Sequence, residues 1–166
     1  MIIVITGVMA AGKSTVAQLL AESLDKSVHL RGDTFRRMIV RGRAEMTPAP
    51  SREAGEQLDL RYRLSAQAAD TYAAAGFTVV VQDVILGPDL GAYQGLIQTR
   101  PCRIVVLAPR PEVIAAREAA RAKTGYGEWT VEALQASLDE TPRIGQWIDN
   151  SFQTPAETVR EILAGS

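Results

Sequence analysis

The clearest chemistry in the sequence lies near its beginning, where residues 7–14 read GVMAAGKS. Glycines let such a loop turn tightly, so that successive backbone N–H groups point at one anion. Lys13 follows at the start of a predicted helix, where its charge is favourable only if an anion lies beside it. Ser14 supplies a hydroxyl that can reach Mg²⁺. The spacing G-x-x-x-x-G-K-[ST] therefore predicts a site for a nucleoside triphosphate.

The segments on either side of this loop have the periodicity that the site requires. Residues 2–5 form an apolar, β-branched run, which is typical of a buried strand. Val16, Leu19, Leu20 and Leu24 recur at helical spacing after the loop. A chance match in an ordinary strand-to-helix turn is the alternative, and the strand-loop-helix context favours nucleotide binding. The predicted nucleotide-binding residues are Gly7, Ala10, Ala11, Gly12, Lys13, Ser14, Thr15 and, from a later helix, Arg117.

Two aspartates follow predicted strands at the point where each strand ends. Asp33 comes after the short strand 28–30, and Asp83 comes after the apolar strand 77–81. Asp33 is predicted to accept the proton of a substrate hydroxyl, and the alternative is a plain helix N-cap. Asp83 is predicted to hold Mg²⁺ through water, together with Ser14, or to orient the nucleophile. The alternative for Asp83 is a turn aspartate.

Two pairs of arginines could contact phosphate or an anionic substrate. Arg117 and Arg121 lie four residues apart and share one face of a predicted helix. We expect Arg117 to stack on the base and Arg121 to neutralise the transferring phosphate, unless the pair is only a solvated basic stripe. Arg36 and Arg37 either bind the substrate or are solvated. The full assignment has Asp33, Lys13 and Arg121 as catalytic residues, Arg36, Arg37 and Asp83 as substrate-binding residues, and Ser14 and Asp83 as metal ligands.

Strands alternate with helices along the whole chain. This order predicts a three-layer α/β fold of the P-loop NTPase type, with a five-stranded, mostly parallel sheet and helices on both faces. Ligands bind beyond the carboxyl ends of such strands, so the loop and both aspartates are expected around one crevice. We expect helices over 34–43 and 130–138, a long helix that begins after Ser51 and is stopped by Gly76, and a capping box at 154–157. The chain is interpreted as one domain, 1–166, with a mobile substrate-side region at about 36–62 and a short lid at about 117–129.

Composition limits the classes of partner. The 166 residues carry a net charge of −1 and are 46% hydrophobic, without a basic run or an acidic tail. Nucleic acid is therefore not an expected partner. The longest apolar runs are too short to cross a membrane, and a single cysteine, Cys102, fits a reducing compartment. We expect a cytoplasmic protein that is a monomer or a small homo-oligomer.

The order and spacing of these motifs resemble a known group of enzymes. The resemblance rests on residues 7–14, 32–36 and 79–87 and on Arg117 with Arg121. Together they are similar to the small P-loop phosphotransferases typified by chloramphenicol phosphotransferase and, more distantly, to zeta-toxin and shikimate- or nucleotide-kinase folds. The resemblance implies ATP- and Mg²⁺-dependent phosphorylation of a small-molecule hydroxyl, with Asp33 as the base and the arginine pair on adenine and phosphate. One departure is Gln82-Asp83, where chloramphenicol phosphotransferase has paired acids.

Three functions fit these motifs. The first is a kinase whose acceptor, an antibiotic-, nucleoside- or sugar-like alcohol, lies between Asp33 and the loop at Gly87. The second is a regulatory or switch ATPase that acts on a macromolecular partner. A guanine-specific switch is not indicated, because the sequence has no N-K-x-D motif. The third is a protein that binds nucleotide without turnover.

Overall fold

The computed structural model describes residues 1–120 and 128–165. The described strands are β1 (Ile2–Gly7), β2 (Ser27–Arg31), β3 (Thr78–Gln82), β4 (Cys102–Leu107) and β5 (Gln146–Ile148). The described helices are α1 (Lys13–Glu22), α2 (Asp33–Arg37), α3 (Arg52–Ala74), α4 (Asp89–Leu96), α5 (Pro111–Ala119), α6 (Val131–Asp139) and α7 (Pro155–Ala164).

The five strands form one sheet in the order β2-β3-β1-β4-β5, and all four pairings are parallel. β1 is central, and residues 2–5 are completely buried between helices on the two faces of the sheet. A strand covered on both faces reads as a continuous apolar run, because neither side of the pleat meets water. The predicted three-layer α/β fold is confirmed.

Several helix ends form for the reasons that the sequence indicated. The Ser51 side chain accepts a hydrogen bond from the Ala54 backbone N–H at 3.1 Å and so begins α3. Gly76 has a φ of 84°, a left-handed conformation that ends the helical path. Thr154 and Glu157 make the reciprocal bonds of a capping box at the start of α7.

The predicted helix over 34–43 is wrong in extent, because α2 covers only residues 33–37. No residue of α2 is buried, and two of the apolar side chains that follow it are exposed. Met38 is 65% exposed and Val40 is 93% exposed. A short helix is stabilised mainly by packing of an apolar face, so the segment does not continue as helix. Gly42, at a φ of 76°, lies in the turn that follows.

The predicted substrate-side region 36–62 includes the first half of α3. Gln57 of that helix bonds to the segment before it: its side-chain amide donates to the Gly42 carbonyl at 2.7 Å, and its amide oxygen accepts from the Ala44 N–H at 2.8 Å. The mobility of this region stays a prediction. Within the described part of the chain, no helix combines the length and apolar character needed to cross a membrane.

Candidate active site

A crevice of about 1040 Å³ opens beyond the carboxyl ends of the strands. Residues 9–10 and 12–15 line it from the loop after β1. Asp33 lines it from the end of β2, and Asp83 lines it from the end of β3. Arg117 also reaches it, from α5. Parallel strands bring their carboxyl ends to one edge of the sheet, so residues far apart in sequence face the same space.

The loop after β1 has the backbone of an anion-binding nest. Gly7, Ala10 and Gly12 have φ angles of 143°, 64° and 93°. A Cβ on Gly7 would collide with the Leu107 carbonyl oxygen of β4, so close strand packing also requires glycine there. Gly12 is the N-cap of α1 and offers no side chain to the first N–H groups of that helix. Those groups and the helix dipole therefore face the crevice, where an anion is favoured.

The residues that follow Gly12 fit a magnesium nucleotide. Lys13 is only 6% exposed, and its ammonium group donates to the Val8 carbonyl at 2.7 Å, at the inner rim of the loop. Ser14 and Thr15 line the crevice with exposed side chains. The described residues include no cluster of three or more acidic, histidine or cysteine side chains that could hold a metal ion. Mg²⁺ is commonly held by one or two protein oxygens together with water and substrate phosphates, and the Ser14 hydroxyl suits that arrangement.

The loop is held from outside by residues far along the chain. The Ala11 carbonyl accepts from the Asn150 side-chain amide at 2.9 Å and from Arg117 at 3.4 Å. Arg117 also donates to the Asn150 carbonyl at 3.0 Å. Arg117 thus lies against the phosphate-binding loop, and its stacking on a base stays a prediction. Arg121 lies outside the described residues.

Sequence reasoning missed Asn150, although a signal for it existed. Asn150 is 3% exposed and comes two residues after the end of β5. It therefore occupies the same edge of the sheet as Asp33 and Asp83. The signal was its position: like Asp33 and Asp83, Asn150 is a polar residue that comes one or two residues after the end of a strand.

Asp83 is a buried carboxylate that pairs with an arginine of α3. It is 2% exposed, and Arg61 Nε donates to one of its oxygens at 2.8 Å while a second guanidinium nitrogen donates to the other. The Val84 N–H donates to the Asp83 carboxylate at 2.7 Å. Both oxygens are therefore engaged, and a direct metal bond would require Asp83 to leave Arg61. The roles of Asp83 in holding Mg²⁺ through water and in binding substrate stay predictions.

Arg61 also faces Asp33 and was not among the predicted site residues. Its guanidinium lies 3.8 Å from the nearer Asp33 oxygen. Burial lowers the pKa of Arg61 while the charge of Asp33 raises it, and an arginine in such a place remains protonated. The available signal was spacing, because Arg61 falls in the series 54, 58, 61, 65 on the face of α3 that turns inward.

The surroundings of Asp33 decide against the N-cap alternative. Gly32 is the N-cap of α2 and Asp33 is its first residue. The Asp33 carboxylate instead accepts from Arg37 Nε at 2.5 Å, while Arg61 lies on its other side. Arg36, the neighbour of Arg37, pairs with Glu45. Both predicted substrate-binding arginines thus line the crevice, each beside a carboxylate.

The crevice is also lined by large apolar and aromatic side chains that belong to the hydrophobic core, and we call these side chains the apolar wall. Leu58 and Tyr62 contribute from α3, Leu86 from the loop after β3, and Leu134 from α6. Trp129 completes this wall, and its indole N–H donates to the Met46 carbonyl at 3.2 Å. The wall thus combines four elements of the chain around a space beside Asp33. We call this space the acceptor side of the crevice.

The fold is shared with solved structures that include two kinases and an antibiotic resistance protein. A sugar kinase from Janibacter sp. HTCC2649 is 19% identical with a TM-score of 0.72, and the match covers 98% of this chain and 92% of that one. A gluconokinase from Sinorhizobium meliloti 1021 is 25% identical with a TM-score of 0.62, covering 98% and 89%. The tunicamycin resistance protein of Deinococcus radiodurans is 18% identical with a TM-score of 0.68, covering 98% and 93%.

These likenesses place the chain with small-molecule kinases of the P-loop type at the level of the fold. The nearer resemblance to chloramphenicol phosphotransferase stays a prediction. No curated protein matches the chain in sequence. A family model described as an AAA domain matches residues 2–142, which is most of the chain. The chain therefore belongs to the AAA domain family AAA_33.

Proposed function

We propose that this protein transfers the γ-phosphoryl group of ATP to a hydroxyl group of a small molecule. The observation that carries the proposal is that the phosphate-binding loop and the Asp33 carboxylate line one crevice. β3 separates the strands that end at these two features, so a space remains between them. A kinase needs this separation, because donor and acceptor must both fit between the loop and the base.

Each part of the crevice has a task in such a transfer. The loop N–H groups and Lys13 bind and neutralise the phosphate oxygens. Ser14 would hold Mg²⁺, which when bound spreads the charge that develops on those oxygens. The acceptor oxygen forms a bond to the γ-phosphorus as the bond to the bridging oxygen breaks. Asp33 takes the proton that the hydroxyl loses.

The two arginines beside Asp33 position its carboxylate. Arg37 approaches one oxygen and Arg61 approaches the other. Arg61 is in turn fixed by the buried Asp83. This chain of contacts orients the proposed base from the end of the neighbouring strand. A proton acceptor held in one orientation contributes more to the rate than one that rotates freely.

The direct test is a screen of alcohols with ATP labelled on the γ-phosphate. The wild-type protein should hydrolyse ATP slowly alone and transfer label rapidly to its acceptor. Lys13→Ala should abolish turnover and weaken ATP binding. Rate enhancement by an added protein, without label on any small molecule, would instead identify a regulatory ATPase.

The role of Asp33 has its own test. Asp33→Asn should leave ATP binding nearly intact and lower kcat by about two to four orders of magnitude, the usual contribution of a positioned base. Asp25→Asn is the matched control, because Asp25 is exposed between α1 and β2 and does not line the crevice. Wild-type transfer by Asp33→Asn would rule out Asp33 as the base.

A further inference from the structure

Gln82, the last residue of β3, lines the crevice and was not among the predicted site residues. The parallel register pairs it with Arg31 of β2. Side chains two residues apart on a strand point to the same face, so His29 shares the face of Arg31 and Gln82. His29 Nδ1 lies 2.8 Å from the side-chain oxygen of Gln18 on α1. The Gln82 side chain is therefore on the face of the sheet that α1 covers.

Ser14 lies on the corresponding side of α1, one turn nearer to the crevice. Ser14 and Gln18 are four residues apart, so both side chains leave the same face of the helix. Four residues of helix rise by about 6 Å, and two residues of strand advance by about 6.6 Å. Because Gln18 lies beside His29, Ser14 reaches the level of Gln82. The hydroxyl that suits Mg²⁺ and the Gln82 amide thus meet the crevice at the same level.

Asp83, the next residue, is directed to the other face of the sheet. Successive side chains alternate between the faces along an extended chain. The Asp83 carboxylate accordingly pairs with Arg61 of α3, and both of its oxygens are engaged there. At the end of β3, an amide and not a carboxylate is therefore on the side of Ser14.

Hydrogen bonds on α1 determine which nitrogen of His29 carries the proton. The Gln18 amide nitrogen donates to the Glu22 carboxylate at 2.8 Å, so the Gln18 oxygen is the atom turned to His29. His29 Nδ1 must then be the donor of that contact. Burial lowers the pKa of His29, and the charge of Arg31 lowers it further, so the ring is neutral above pH 7. A neutral ring with its proton on Nδ1 has an acceptor at Nε2.

The Gln82 amide is placed to donate to this acceptor. His29 Nε2 and the Gln82 side-chain oxygen are both buried, and neither has a hydrogen-bond partner among the described residues. Burial lowers the pKa of His29 and Gln82 opposes this effect, as an oxygen beside the ring would. Two adjacent acceptors are unfavourable, and an amide that makes a half-turn exchanges its oxygen and nitrogen within the same space. The NH₂ group then donates to Nε2, and the oxygen faces the crevice.

We propose that Gln82 holds a magnesium-bound water through its side-chain oxygen, which a hydrogen bond from its own NH₂ group to His29 Nε2 turns into the crevice. This inference rests on the proposed kinase function and assigns the metal side of the site to Gln82 instead of Asp83. Mg²⁺ usually keeps several waters in proteins, and their O–H groups need acceptors. His29 acts as a positioning residue, because it reaches the metal side only through Gln82.

The tautomer of His29 tests the direction of this hydrogen bond in the unaltered protein. The chain has one histidine, so the ring signals need no further assignment. Long-range ¹H–¹⁵N correlation spectra at pH 8 distinguish a proton on Nδ1 from one on Nε2. We expect the proton on Nδ1. A proton on Nε2 would make the Gln82 oxygen its acceptor and turn the NH₂ group to the crevice, which overturns the inference.

Calorimetry of ADP binding, with Mg²⁺ and with a chelator, tests the role of the oxygen. Gln82→Leu should reduce the gain in ADP affinity that Mg²⁺ provides by about threefold or more, because the metal-bound water loses its acceptor. Gln82→Glu keeps an oxygen there and should retain or increase the gain. An unchanged gain in Gln82→Leu, or a reduced gain in Gln82→Glu, overturns the inference.

Matched controls use an amide outside the site. Gln67 is exposed on α3 and does not line the crevice, so Gln67→Leu and Gln67→Glu should bind ADP like the wild type with and without Mg²⁺. Circular dichroism checks that every variant is folded.

A double-mutant cycle tests the link between His29 and Gln82. His29→Phe should also reduce the magnesium gain while leaving ADP binding without metal unchanged. Combined with Gln82→Leu it should cause little further loss, because both changes remove the same oxygen from its position. Losses that add fully would contradict the positioning role of His29.

Transfer of labelled phosphate separates this inference from the function on which it rests. If no alcohol receives label and Gln82→Leu still reduces the magnesium gain, the kinase fails and the role of Gln82 stands. Label on an alcohol together with an unchanged magnesium gain in Gln82→Leu would support the kinase and overturn the role of Gln82.

Discussion

Gly32 precedes the proposed base, and its lack of a side chain has a specific cause. The Asp83 carboxylate from the next strand lies where a Cβ on Gly32 would be. The φ of Gly32 is −58°, so any residue could adopt its backbone conformation. Close approach, and not backbone freedom, therefore requires glycine here. The adjacent positions 32 and 33 both contribute to the Arg61–Asp83 ion pair: Gly32 leaves room for the Asp83 carboxylate, and Asp33 lies beside Arg61.

Gly32→Ala should destabilise the fold by about 1–3 kcal/mol, because the new methyl group displaces a buried, paired carboxylate. Urea unfolding measures the change. Gly55→Ala is the control, because a Cβ at Gly55 in α3 meets nothing within 4 Å. That substitution should stabilise the protein by about 0.5–1 kcal/mol. Equal effects of the two changes would show that the approach of Asp83 to Gly32 is unimportant.

Individual residues differed in how far the sequence could predict their place. Lys13 was predictable because the motif around it needs only local backbone geometry. Arg61 was not, because its two partners come from the ends of different strands and become neighbours only in the folded sheet. Asp33 was placed correctly beyond β2, whereas its contacts with two arginines depend on the approach of α3.

At the scale of elements, α3 connects the crevice to the sheet. Tyr62 donates its hydroxyl proton to the Val84 carbonyl at 3.0 Å, one residue beyond Asp83. Burial raises the pKa of Tyr62, which keeps the phenol protonated as a donor. Arg61, the preceding residue, makes the ion pair with Asp83. Two consecutive side chains thus fix α3 against the end of β3.

Because Arg61 pairs with a buried carboxylate and Arg52 with an exposed one, we expect substitution of Arg61 to reduce stability much more than substitution of Arg52. Arg61→Met should lower the free energy of unfolding by about 3–5 kcal/mol, because Asp83 stays buried without its cation. Adding Asp83→Asn should recover part of that loss, since an amide tolerates burial better than a charge. Arg52→Met, which breaks the exposed pair with Glu56, should change stability by at most about 0.5 kcal/mol. Chemical denaturation at neutral pH compares the three variants with the wild type.

The helices also show which element boundaries follow from local chemistry. α3 and α7 begin at side chains that bond to their own first turn, and both starts were predicted. α2 ends early because Met38 and Val40, which follow it, stay exposed, and the lack of a surface to cover them is not visible in a local pattern. Capping is thus encoded locally, whereas helix length depends on tertiary packing.

At the scale of the whole molecule, the single histidine links stability to pH. His29 is half-buried in β2, where its Nδ1 lies 2.8 Å from the Gln18 side-chain oxygen. Burial lowers the pKa of His29 below its ordinary value of 6.5, and the charge of Arg31 lowers it further. The unfolded chain therefore takes up a proton first as the pH falls, and the folded state loses stability below about pH 6.5.

We expect the free energy of unfolding to fall between pH 7.5 and pH 5.5, in part because of His29. Urea titrations at the two pH values measure the difference. His29→Gln should remove that contribution and leave the part that arises from carboxyl groups. The same pH dependence in His29→Gln as in the wild type would exclude the histidine as its source.

The phosphate-binding loop is held by residues that lie beyond the segment matched by the family model. The family model stops at residue 142, yet Asn150 holds the Ala11 carbonyl from beyond that point. β5 pairs with β4 and delivers Asn150 to the loop, while α7 packs on α1, the helix that begins at Lys13. A shortened protein that retained only residues 2–142 would keep every residue of the phosphate-binding loop. It would lose the contacts of Asn150 and α7 that hold the loop and α1 in place. The smallest unit that keeps these contacts behind the phosphate-binding loop is therefore longer than the stretch by which its family is recognised.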